Sequence, residues 1–191
     1  MVSFKDSFSL PHSFSPEQAE KINQFIGSKN IANGQIILRN GETFAKSYFV
    51  QKGCLRSYTI DEKGKEHILM FAPEGWIVSD ISARLGSTSY SFFIDAIEDS
   101  IVEVIDQRLF ELLESIAPEA RTIANQKLIN HIVVLQKRII MLMSASAWER
   151  YQHFIETYPN ILQRVPQRMI ASYLGVTPEA LSKLRGDNAK K

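Results

Sequence analysis

Residues 165–185 read Val-Pro-Gln-Arg-Met-Ile-Ala-Ser-Tyr-Leu-Gly-Val-Thr-Pro-Glu-Ala-Leu-Ser-Lys-Leu-Arg, and they hold the side chains best suited to recognising another molecule. Leu181 and Leu184 bury one face of a helix here, which leaves Glu179, Ser182, Lys183 and Arg185 pointing outward. Carboxylate, hydroxyl, ammonium and guanidinium groups on one exposed helix face match the phosphates and base edges of duplex DNA. The same segment supplies the elements that must position them. Gln167 to Leu174 forms a first helix with Ile170, Ala171 and Leu174 on one face, and Gly175 supplies positive φ just past its end. Thr177 caps the second helix, Pro178 fits its first turn, and Glu179 complements its dipole. Ala171 is small where the helices cross, and Val176 plugs the turn. This is the helix-turn-helix pattern, whose second helix enters a major groove. The alternative is a plain helical hairpin with solvated basic residues.

Charge supports the first reading. The 191-residue chain has 22 basic and 21 acidic residues, a net +1 that advertises no partner. Residues 164–191 carry six basic side chains (Arg164, Arg168, Lys183, Arg185, Lys190, Lys191) against Glu179 and Asp187, a local +4, so the remainder is −3. At 45% hydrophobic and 23% charged, the composition is that of an ordinary globular chain. The lone Cys54 excludes an internal disulfide and a four-cysteine cluster. His12, His67, His131 and His153 are scattered without ligand spacing, so no metal or cofactor is expected. No nucleophile–base pair is spaced for catalysis, and an enzyme, including a cupin-like barrel, is not expected. The N-terminus has no basic-then-apolar signal pattern, and the apolar run from Ile139 to Met143 is too short to span a bilayer, so a cytoplasmic protein without membrane contact is expected.

Upstream, glycine divides the chain. Gly53, Gly64, Gly75 and Gly86 recur every 11 residues between β-rich runs, the signature of a β-sandwich or barrel from about Ile31 to Ile105. Residues 61–64, Asp-Glu-Lys-Gly, read as a hairpin turn. No glycine falls between Gly86 and Gly175, and from Pro118 to about Tyr158 the spacing is helical. Leu128, Ile132, Leu135, Ile139 and Leu142 step by 4, 3, 4 and 3, a heptad seam with β-branched residues where parallel dimers want them. Asn125, seven residues before Ile132, occupies the same seam position and would fix register. A second stripe, Ile129, Val133, Ile140 and Met143, is expected to face the β domain, although both stripes could be intramolecular core.

The order of these parts resembles the Crp/Fnr family of bacterial transcription regulators. The resemblance runs from about Gln35 to Arg185 and rests on Leu38-Arg-Asn-Gly-Glu42, on residues 48–56 (Tyr-Phe-Val-Gln-Lys-Gly-Cys-Leu-Arg), on residues 71–76 (Phe-Ala-Pro-Glu-Gly-Trp) and on the C-terminal motif. It implies an α+β fold. An N-terminal β-sandwich or jelly-roll domain like the cyclic-nucleotide-binding domains, with flanking helices, would occupy residues 1–116. A dimerisation helix would span 117–144, and a winged-type helix-turn-helix domain 145–191. Only six residues follow Arg185, which leaves little room for a strand pair beyond the recognition helix.

The resemblance also implies a homodimer bound to double-stranded DNA, RNA polymerase as a further partner, and a small-molecule effector whose identity is open. Cyclic-nucleotide binders of the family carry a Gly-Glu pair and, ten residues on, an Arg that pairs with the cyclic phosphate. Here Ser79-Asp80 stands in the first place and Tyr90-Ser91 in the second, so cyclic AMP bound in the family manner is not expected. Trp76, Asp80, Tyr90 and Ser91 are the candidate effector pocket. On the DNA side, Glu179 matches the family's acidic base reader, Ser182 and Lys183 take the other outward positions, and Pro178 replaces a common Arg. Arg168, Thr177 and Arg185 suit phosphates. The rival reading is an effector-binding or protein-interaction module that has lost DNA binding. Target genes, and activation versus repression, are not legible in the residues.

Overall fold

The computed structural model describes residues 1–7, 14–39, 46–79 and 92–188. These form two compact units, one of residues 1–59 with 70–128 and one of residues 60–69 with 129–191.

The first unit is a β-sandwich. Its strands are β1 (Ile26–Ile31), β2 (Ile36–Leu38), β3 (Lys46–Lys52), β4 (Leu55–Ile60), β5 (Glu66–Ala72), β6 (Ile77–Ser79), β7 (Phe93–Ala96) and β8 (Ser100–Asp106). One sheet runs β1-β8-β3-β6 and the other β2-β7-β4-β5. Tyr48, Val50, Val78 and Val102 of the first sheet meet Leu38, Leu55, Ile94 and Ala96 of the second in a buried core. The opposite pleat of β3 and β8, through Phe49 and Ile105, packs on the helices α1 (Phe4–Ser7), α2 (Pro16–Asn23) and α3 (Arg108–Ile116) via Phe4, Ile22, Leu109 and Leu113. The sheet domain thus begins at Ile26, five residues before the expected Ile31. The residues of β1 between its two isoleucines are Gly-Ser-Lys-Asn, exposed at the margin of its sheet, and they lack the alternation that marks a half-buried strand.

Tight corners of the sandwich use positive φ at Gly34, Gly53, Gly64 and Gly75. Gly64 closes the β4–β5 hairpin as expected, and the Asp61 carboxylate accepts from the N–H groups of Lys63 and Lys65 across the turn.

The long helix is α4 (Pro118–Ser144). It stops where Ser146 caps the next helix, α5 (Ala147–Thr157), through a reciprocal capping box with Glu149. A 3₁₀ turn (Ile161–Gln163) leads to α6 (Gln167–Leu174) and α7 (Pro178–Asn188). Tyr151, Phe154, Tyr158, Ile161, Val165, Ile170, Ala171, Leu174 and Leu181 are buried in this helical part. The rings of Phe154, Tyr158 and Tyr173 meet pairwise with centroids 5.3–5.8 Å apart. Among the described residues no strand follows α7, and no helix is long and apolar enough to cross a membrane.

The second stripe of α4, Ile129, Val133, Ile140 and Met143, is exposed, Met143 at 82%. Heptad spacing shows which residues share a stripe, but it does not say what covers it.

Candidate nucleic-acid interface and dimer seam

The α6–α7 pair has the local geometry that its residues demand. Gly175 sits at φ 68°, ψ 35°, just past the last residue of α6, and the Val176 N–H returns to the Ala171 carbonyl at 3.0 Å, closing the helix end. The Thr177 hydroxyl accepts from the Ala180 N–H at 3.2 Å and so caps α7. Its own backbone N–H, and then the Thr177 hydroxyl, hold the Glu179 carboxyl below the usual carboxylate range. A charged carboxylate therefore sits in the first turn, where the helix dipole favours it.

Leu181 is buried and Leu184 half-buried, so α7 is anchored along one side. Thr177, Pro178, Glu179, Ser182, Lys183 and Arg185 are all exposed on the remainder, and Arg168 is exposed in the first turn of α6. One solvent-facing helix surface thus presents an acid, a hydroxyl and two cations, with an additional cation on the preceding helix. Such a face can accept from a base edge, donate to base edges and neutralise phosphates.

On α4, Leu128, Ile132, Leu135, Ile139 and Leu142 are exposed, Ile139 at 57%, and Asn125 is exposed in line with them. A contiguous apolar stripe of this size on a solvent-facing helix marks an interaction surface.

Of the candidate effector residues, Trp76 is half-buried and packs against the sandwich core, while its backbone carbonyl accepts from the Val50 N–H at 2.9 Å. Asp80, Tyr90 and Ser91 lie outside the described residues. Cys54 is fully buried beside Ser100. His67 pairs with Asp61 at 2.8 Å across the hairpin turn.

Two polar arrangements had no signal in local spacing. The Arg56 guanidinium is clasped by Asp95 across the β4–β7 ladder and lies over the Tyr58 ring. Ser172 and Arg138 both hydrogen-bond to the backbone of β5. A polar residue at a strand or helix position with an otherwise apolar neighbourhood is the available hint, but the partner is 39 residues away for Arg56, 70 for Arg138 and more than 100 for Ser172.

A β-sandwich, a long helix and a C-terminal helix-turn-helix follow one another along the chain, and in sequence and fold the chain is similar to transcription regulators of the Crp/Fnr type. Residues 28–115 match the cyclic nucleotide-binding domain. Over 93% of its length the chain is 29% identical to the fumarate and nitrate reduction regulatory protein of Vibrio cholerae, covering 75% of that protein. It is 25% identical to electron transport regulator A of Shewanella oneidensis, with the same two coverages. In fold it is similar to FixK2 from Bradyrhizobium japonicum, at a TM-score of 0.73 and 19% identity over 86% of this chain and 85% of that one. The two sequence relatives are regulators.

Proposed function

We propose that the protein is a homodimeric, sequence-specific DNA-binding transcription regulator that reads a roughly two-fold-symmetric site. The observation that carries this reading is the exposed polar face of α7 above a buried Leu181. Glu179, Ser182 and Lys183 read base edges with Pro178 beside them, and Arg168, Thr177 and Arg185 hold phosphates. Two copies pair along Asn125, Leu128, Ile132, Leu135, Ile139 and Leu142, which sets the recognition helices about one helical turn of DNA apart. The working parts are residues 1–116 for sensing, 117–144 for pairing and 145–191 for DNA, and the protein works in the cytoplasm with RNA polymerase as a further partner.

The effector is a small molecule that does not engage an arginine in the manner of cyclic AMP, because Tyr90 stands where the resemblance expects that residue. Trp76, Asp80, Tyr90 and Ser91 contribute to its pocket.

Selection of binding sites from random duplex DNA at about 150 mM salt, where non-specific phosphate binding is weak, tests the reading. Enrichment of a palindrome by the wild type, lost or altered in the Glu179→Ala, Lys183→Ala double variant, is the expected result. Salt-screened, sequence-blind binding would instead favour a module that no longer reads DNA.

A further inference from the structure

Among the described residues strand β5 is the outermost strand of its sheet, and no described strand lies along its outer edge. Residues two apart in a strand direct their N–H and C=O groups to the same edge. On that edge the Ser172 hydroxyl accepts from the Ile68 N–H at 3.1 Å and donates to the Glu66 carbonyl at 2.9 Å. Arg138 Nη2 donates to the Ile68 carbonyl at 2.9 Å, and also to the Tyr173 carbonyl at 3.1 Å. Two side chains, one from α6 and one from α4, therefore do for Glu66 and Ile68 what another strand would do.

The contact is built rather than incidental. A helical serine usually faces water or bonds back to its own helix, whereas Ser172 spends its hydroxyl on a segment 104 and 106 residues away. The Arg138 guanidinium lies 3.8 Å from the Tyr173 ring centroid. It also donates to the Tyr173 carbonyl in the last turn of α6, where the helix dipole favours a cation. The hairpin segment 60–69 and residues 129–191 form one compact unit, so the contact lies within that unit. Ser172 fixes α6 along the strand through two bonds, and Arg138 fixes its C-terminal end from a third element.

We propose that Ser172 and Arg138 are positioning residues for DNA reading, because by fastening α6 to the outer edge of β5 they hold the α6–α7 pair in one orientation. The inference rests on α7 being the recognition helix. Cutting the fastening lets the pair tilt, and the two α7 helices of a dimer no longer match one half-site spacing.

The test uses the full chain as Ser172→Ala, Ser172→Thr and Arg138→Lys, the last keeping charge but losing the planar fork. Hydrogen exchange at the Ile68 amide reports the contact, and affinity for the duplex selected by the wild type reports DNA reading. Ser172→Ala and Arg138→Lys are expected to weaken operator binding about tenfold. Ile68 exchange is expected to accelerate in Ser172→Ala, while amides within α6 stay protected. Ser172→Thr, which retains a hydroxyl, stays near wild type. Unchanged operator affinity with a deprotected Ile68 overturns the inference and leaves the DNA reading intact. An Ile68 amide that exchanges no faster in Ser172→Ala also overturns it. A wild type that binds no duplex overturns both.

Discussion

Arg56 and Asp95 are directly opposite each other in the β4–β7 ladder and close a two-pronged clasp, Nε to Oδ1 at 2.7 Å and Nη2 to Oδ2 at 2.9 Å. Both side chains are under one-tenth exposed. Such a pair adds little over apolar residues of the same volume, but removing one partner strands a buried charge. Asp95→Ala is expected to lower the unfolding free energy by about 3–5 kcal/mol. The Arg56→Met, Asp95→Leu double variant should recover most of it. Denaturant unfolding of the three proteins checks this, and a double variant no better than Asp95→Ala would contradict it.

Gly53 and Gly64 share positive φ but differ in what surrounds them. A Cβ on residue 53 would lie 2.7 Å from the Ser100 Cα, whereas one on residue 64 would meet nothing within 4 Å. Gly64→Ala is expected to cost about 1–2 kcal/mol from backbone strain alone. Gly53→Ala should cost clearly more, because the backbone of β8 must also move. Equal losses in thermal or denaturant unfolding would show that the Gly53–Ser100 approach is not tight.

The base reading and phosphate binding proposed for α7 and α6 separate by salt. Glu179→Ala is expected to relax preference at one base position per half-site by about 1–3 kcal/mol. Arg168→Ala should weaken binding to all sequences alike and lower the slope of log affinity against log salt by about 1 per protomer. Fluorescence titrations on the selected operator and single-base variants at several salt concentrations measure both effects.

Pairing along α4 is tested by Ile139→Glu. Ile139 is exposed in the protomer, so the change costs the single chain little, yet it places a carboxylate in the seam of a dimer. Sedimentation velocity at micromolar concentration is expected to show a dimer for the wild type and a monomer for the variant, with unchanged far-ultraviolet circular dichroism. A monomeric wild type would remove the seam reading.

The Asp106 carboxyl is pulled down from its usual 3.8 to about 2, first by the hydrogen bond from the Arg108 side chain and then by the Arg108 N–H. A carboxylate with a depressed folded-state value stabilises above its unfolded value and loses that contribution as pH falls from 3.8 through about 2. Carbon-detected titration should find its midpoint near 2, moving toward the ordinary range in Arg108→Ala. An unmoved midpoint would discount the pair.

The parts most legible in the residues are those made by neighbours. Gly175, Thr177 and Pro178 determine a helix end and a helix start within three positions, so α6 has the expected limits and α7 the expected start. The hairpin around Gly64 is equally local. Strands β2 and β6, three residues each, and the polar β1 were harder to read because a short or marginal strand is defined by the ladder it joins rather than by its own pattern. The clasp of Arg56 with Asp95 and the bonds of Ser172 to β5 depend on side chains meeting across the fold, and no spacing rule reaches that far.

The covered edge of β5 also bears on what happens when the C-terminal helices are missing. The strand carries Ile-Leu-Met-Phe at its centre, a short apolar run of the kind that templates pairing between chains when its backbone is left open. Ser172 and Arg138 occupy the groups that an invading strand would use. A chain cut off before α6, by proteolysis or interrupted synthesis, loses both Ser172 bonds to this edge, and aggregation rather than survival as a free β-sandwich is the expected outcome.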